Sequence, residues 1–399
     1  MFTRNHFSRV ALAGILGAFF SSTAASHVPG LSFDRIITIW LESQDYVKVA
    51  NDPDFVELKK QGVSLTNFYA LTHPSQPNYI AAIGGDYFGL DHDDGVTIPY
   101  NVSTFVDLLD WSGVSWSGYF EGIPSPGYMG GASIGAGTDK WDYVKKHNPF
   151  ASYDSITHNG TRLLNLLSFD DFHRAFAADP QSIPQIVFVS PNMLNGGQNT
   201  TLQYATKWST DFLKPLLADD AWKGQRTLIM LTYDESEDHK KPNSIATLLL
   251  GAAIPRDRKG TEDPTYYTHY SFLSTIEYNW ALPCLGRYDV GANVFAAVSD
   301  LQGVYENIEP PDAKDWDNSV SYPGALNSDS EKWAPYPPPN TKVVGAGGQP
   351  ILRKIKFKWN LDARDVPYDG SGTIYDGKRL PVYKPAVANV EPEDIPGAK

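Results

Sequence analysis

The chain of 399 residues has a single cysteine, Cys284, so no intrachain disulfide can form. Stability has to come from a buried core and any bound metal, and the lone thiol is expected to be a small buried hydrophobe. Positive charge is also short: 33 Lys and Arg face 46 Asp and Glu, for a formal charge of −13. That balance argues against DNA or RNA as a partner, because phosphate backbones demand a basic face. No membrane span is expected. The apolar run VALAGILGAFF near the start has 11 residues, well short of the ~20 that a spanning helix needs. Arg4 and Arg9 precede it and SSTAAS follows it, the layout of a secretory signal peptide over residues 1–25. Cleavage near Ala25 would leave a secreted, extracellular chain with a charge of about −15.

What remains is rich enough to fold. Hydrophobic residues make up 42% of the chain and charged ones 20%, with 22 Tyr and 10 Trp. Four nearly continuous apolar runs, RIITIWLE (35–42), QIVFVSPN (185–192), RTLIMLTYDE (226–235) and SIATLLLG (244–251), have the texture of strands buried on both faces. Amphipathic helices are expected at STFVDLLDW (103–111), DDFHRAFAAD (170–179), YATKWSTDFLKPLLADD (204–220) and SFLSTIEYNW (271–280), with Ser103 and Ser271 as N-caps. This alternation predicts an α/β protein, a three-layer α/β/α sandwich around a mainly parallel sheet over residues 26–305. From 306 to 399 the texture changes, and 13 of the 29 prolines fall in 310–399. This stretch is expected to be a Pro/Gly-rich extension wrapping the domain, with KIKFKW (354–359) as an edge strand whose lysines face water.

In such sheets, ligands bind at the carboxyl ends of the strands. Apolar runs end there in Glu42, Asn192 and the pair Asp234–Glu235. Three carboxylates in one crevice repel one another unless a cation neutralises them, and all-oxygen ligands suit a divalent Mg, Ca or Mn ion. Glu237 and Asp238 are expected in solvent. Ser75, in the turn of LTHPSQPNYIAAIGGD, is placed to open a helix, where a hydroxyl is either a plain cap or a polarised group beside an anion site. His73 and His239 have no metal-ligand spacing, and His92 lies in an acidic turn that lacks the full calcium loop. His147, with Lys145 and Lys146, either approaches a phosphate or ends a surface helix. Three sequons, at Asn101, Asn159 and Asn199, could carry glycans.

The segments IWLESQDY, THPSQPNYIAAIGGD, YVKKHNP, SPNMLNGGQNT, LTYDE and THYSFLSTIEYNWALPCLGRYDVGANVF together resemble the fungal acid phosphatases of the phosphoesterase family. That family falls within the alkaline-phosphatase-like superfamily and includes bacterial phospholipases C. The resemblance implies a secreted, glycosylated, metal-dependent hydrolase of small phosphate esters. It makes Ser75 the nucleophile, Glu42, Asp234 and Glu235 the metal-binding acids, and His269 a histidine near the reaction centre. Asn78, Asn192, Asn195 and His147 become candidate substrate-binding residues.

Departures from the family pattern fall on the site. Glu-Asn reads Glu42–Ser43, Ser-Glu-Pro reads Ser75–Gln76–Pro77, and Asn-Arg reads Asn243–Ser244. Asp-Glu-Asn reads Asp234–Glu235–Ser236, and Asn-Asp-Gly-His-Asp reads NGGQN with Gly196, Gln198 and Asn199. Neither Gln198 nor Asn199 can exchange a proton near neutral pH. Two functions therefore stand: a phosphate-ester hydrolase with a depleted acid–base site, or a non-hydrolytic or repurposed member such as a binding glycoprotein.

Overall fold

The computed structural model describes residues 27–372 and 374, except 136–138, 219, 241, 302–304, 310–316 and 360–365. The expected leader lies outside them. Eight strands form the main sheet in the order Thr261–Asp263, Val63–Leu65, Thr247–Leu250, Thr227–Tyr233, Arg35–Leu41, Ile186–Ser190, Trp116–Phe120 and Leu166–Leu167. All pair in parallel except around Thr247–Leu250, which runs antiparallel to both neighbours. The mainly parallel α/β sheet expected from the apolar runs is present.

Arg35–Leu41 and Thr227–Tyr233 are buried at every position, as strands covered on both faces must be. One helix group, Ser75–Gly84, Phe105–Ser112 and Tyr270–Trp280, packs together, and Pro53–Lys59 packs on Leu202–Leu216 as part of another. Two N-caps differ from expectation. Phe105–Ser112 is capped by Thr104, whose neighbour Asp107 closes a capping box, so Ser103 lies one residue too early. Tyr270–Trp280 starts after His269 without a side-chain cap, and Ser271 Oγ instead accepts from Thr268 N.

The C-terminal segments are tied to the domain by specific polar contacts. Asn318 donates to Ala70 O and Asn327 to Gly89 O (both 3.0 Å). Gly89, at φ 77°, meets Gly324 backbone to backbone, and a Cβ there would lie 2.6 Å from Gly324 Cα. The expected edge strand at 354–359 is instead a helix, Arg353–Phe357. Ile355 and Trp359 point inward as expected, but Phe357 is exposed. A lone segment with no sheet edge to join satisfies its backbone internally. Lys358 is not a solvated lysine either. It is buried, 3.0 Å from Ser103 Oγ and 3.5 Å from Asp107, which also pairs with Arg162. Burial alone would raise the Asp107 carboxyl, but Lys358 and Arg162 overcome it and hold the group well below the usual range. Cys284 is buried and free, as expected.

Asp86 is a second anchor. Its carboxylate accepts from the Tyr322 and Tyr368 hydroxyls and from Phe88 N. Burial nonetheless raises this group from 3.8 to about 6. A carboxyl raised on folding stabilises the protein fully below its unfolded value, and that contribution is lost as pH rises through the folded value.

Two stability outcomes follow from these anchors. Lys358→Ala should cost about 3 kcal/mol in urea unfolding at pH 7, since it strips a buried partner from Asp107. The stability of the native chain should fall between pH 4 and 7, and Asp86→Asn should remove roughly 3 kcal/mol of that slope, at about 1.4 kcal/mol per pH unit. An equal slope in both proteins would refute the Asp86 assignment.

Candidate active site

Three strands end beside one another, and their hydrogen-bond ladder continues past the strand ends. Asp234 N donates to Leu41 O (3.0 Å), Gln44 N to Glu235 O (3.1 Å) and Glu42 N to Gly196 O (3.0 Å). These bonds hold Glu42, Asp234 and Glu235 side by side, each almost fully buried. Burial raises the Asp234 carboxyl far above its ordinary value, and the charges of Glu42 and Glu235 raise it further. Glu237 and Asp238 lie outward, as expected, with Glu237 paired to Lys48.

Ser75 opens the helix Ser75–Gly84 at this crevice and donates to Glu235 Oε1 (3.1 Å). Ser43 Oγ donates to the same oxygen (3.1 Å). His147 is buried rather than at a surface helix end, and its Nδ1 lies 2.9 Å from Glu42 Oε1. Its ring stacks on Tyr79 at 5.1 Å. His269 Nε2 donates to Asp234 O (2.7 Å), and burial lowers this imidazole to about 4, so it is neutral at ordinary pH. Lys146 holds Asp93 at 2.7 Å, and Asp93 also accepts from Gln76 N in the first turn of the Ser75 helix. The Asp93, Glu42 and Asp234 charges keep the Lys146 ammonium protonated in spite of its burial.

The carboxylates outnumber the cations near them. Glu42 Oε2, Asp234 Oδ2 and His147 Nε2 are buried without a hydrogen-bond partner. Glu42, His147 and Asp234 each offer a ligand atom, all within 4.8 Å of one another. This donor set fits a divalent ion. With an imidazole beside two carboxylates, it suits Mn²⁺ or a neighbouring transition ion better than an all-oxygen set would. Glu235, expected in the same cluster, groups instead with His73 and His239. The sequence order hid this, because the two histidines lie 166 positions apart and meet through the fold.

Residues 46–283 match the model of the Phosphoesterase family. The chain belongs to this family. It is 44% identical to a probable acid phosphatase of Kluyveromyces lactis, over 84% of this chain and 77% of that protein. An acid phosphatase of Aspergillus fumigatus is 42% identical over 83% of this chain and 73% of its own length. A phosphatidylinositol-3-phosphatase of Mycobacterium tuberculosis is more distant, at 28% over 69% of this chain and 89% of its own. Among solved structures, a phosphonate monoester hydrolase of Agrobacterium radiobacter overlays with a TM-score of 0.40 at 10% identity, covering 69% of this chain and 79% of that one.

The remaining family-matched positions have protein partners. Asn78 accepts from Leu71 N and donates to Thr72 O (both 2.8 Å), bracing the turn that presents Ser75. Asn192 donates to Asp142 (2.7 Å), and Asn195 donates to both oxygens of Glu121 (2.8 Å each). Gly196 is buried against Glu42, while Gln198 and Asn199 are exposed. Of the sequons, Asn159 and Asn199 are exposed, whereas Asn101 is buried. A groove of about 880 Å³ opens at the opposite end of the strands, where Gln185 and Gln225 are spent on Val28, Asp34 and Arg35.

If Glu42, His147 and Asp234 hold a cation, Mn²⁺ at about 100 times its Kd should stabilise chelator-treated protein by about 2.7 kcal/mol. Asp234→Asn should stabilise the metal-free chain, by relieving repulsion, and abolish the Mn²⁺ increment. Thermal melts with and without Mn²⁺ check both. An unchanged increment would rule Asp234 out as a ligand.

Proposed function

We propose that this chain is a secreted, metal-dependent acid phosphatase, hydrolysing small phosphate monoesters through a Ser75 nucleophile. The observation that carries this reading is the Ser75 hydroxyl on Glu235, at a helix start beside the Glu42–His147–Asp234 group. Curated relatives named acid phosphatase, over 40% identical along most of the chain, support it. The leader-like run before residue 26 supports secretion, and exposed Asn159 and Asn199 are the sites proposed for glycans.

In the first step Glu235 Oε1 takes the proton as Ser75 Oγ bonds to phosphorus and the ester P–O bond breaks. Water then cleaves the Ser75–phosphoryl bond, releasing inorganic phosphate and restoring the hydroxyl. A bound divalent ion would supply charge neutralisation for the phosphoryl oxygens and lower the serine hydroxyl's pKa. Lys146, held by Asp93, adds a positive charge at the same helix start, and His147 fixes the Glu42 carboxylate. His269 orients the Asp234 backbone as a neutral imidazole. Asn192 and Asn195 act by shaping the loop whose Gly196 carbonyl receives Glu42 N.

With Gly196, Gln198 and Asn199 in place of proton donors, the leaving group departs as its anion. Purified protein should therefore turn over aryl phosphates about 10²-fold faster than alkyl phosphates, the low end of what a general acid contributes. Ser75→Ala should lower both rates by roughly 10³-fold or more. Assays across pH 3–8, with and without chelator, test the reading. Equal rates on the two ester classes would contradict the missing acid, and no hydrolysis of either would favour a non-hydrolytic family member.

A further inference from the structure

The Glu235 side of the crevice contains a group that the proposed chemistry leaves unused. His73, buried, bonds through Nδ1 to Glu235 Oε2, while Oε1 of the same carboxylate faces Ser75 and Ser43. His73 Nε2 is buried with no hydrogen-bond partner. The ring of His239 stacks on His73 at 4.3 Å. His73, Glu235 and His239 each offer a ligand atom, all within 4.8 Å of one another.

Each part has a physical reason to be where it is. His73 Nδ1 and Glu235 Oε2 face each other inside the fold, so a cation seated between them takes the place of the proton they share, with Nδ1 and Oε2 as its ligand atoms. The loop carrying His239 is pinned across the crevice mouth, with Glu237 on Lys48 and Asp238 N on Asp45 Oδ1 (3.1 Å). His239 is exposed, so its ring can tilt toward an ion while the buried His73 stays fixed.

We propose that His73, Glu235 and His239 form a second metal centre, distinct from the Glu42–His147–Asp234 group. Two imidazoles and one carboxylate select a borderline transition ion such as Zn²⁺, Co²⁺ or Fe²⁺ over Mg²⁺ or Ca²⁺, and three protein ligands leave a position open to water or substrate. The centre deepens the phosphatase reading and rests on it, because it puts a second positive charge beside the nucleophile through the shared Glu235.

The test is metal stoichiometry on the full chain, stripped by chelator and refilled with Co²⁺. Elemental analysis should find about two Co²⁺ per wild-type chain, with a visible band from the nitrogen-rich centre. His239 sits at φ 48°, a conformation that Asn tolerates, so His239→Asn should fold and retain about one Co²⁺ without that band. His239→Gln serves as a second variant, with melting curves confirming that each is folded. Asp234→Asn should lose the other ion and keep the band. One Co²⁺ in wild type, or equal content and spectra in wild type and His239→Asn, would overturn the second centre. Two Co²⁺ bound without any phosphatase activity would refute the catalytic reading and leave the centre standing.

Discussion

Like charges are held together at this site by backbone hydrogen bonds that run on beyond the strands. Glu42 and Asp234 follow two central parallel strands, and the bonds from Asp234 N to Leu41 O and Glu42 N to Gly196 O prevent either carboxylate from swinging away. In water, two such groups would separate and solvate. Here they are buried, so the repulsion is met by protonation or by a cation. The raised Asp234 carboxyl and the unpartnered oxygens beside it express the same unsatisfied charge.

Other buried carboxyls in the fold are under a similar constraint. Asp86 and Glu277 are likewise buried carboxyls raised by desolvation. Each favours folding at lower pH, so the stability and the site electrostatics lean the same way. The lone buried Cys284 adds no crosslink, and burial together with polar anchors such as Lys358–Asp107 holds the C-terminal segments in place.

Much of the fold was legible because apolar runs report burial on both faces, which only a covered parallel sheet provides. Strand identity at 35–41, 186–190, 227–233 and 247–250 follows from that. The segment at 354–359 misled for a definite reason. Its alternation was a pattern of period two over six residues, too short to separate a strand from a single helical turn in an extension without a sheet edge. Lys358 could not be read as buried, since its partner Asp107 lies 251 positions away.

Sequence alone settled the chemistry available: which strands end in acids and which serine opens a helix. Tertiary structure decided how those acids divide. Glu42 and Asp234 gather around His147, and Glu235 turns to His73 and His239, because the backbone bends just past Tyr233 and aims the two adjacent side chains differently. Asp234 and Glu235 are adjacent in sequence yet group with different partners, a division that no spacing along the chain records.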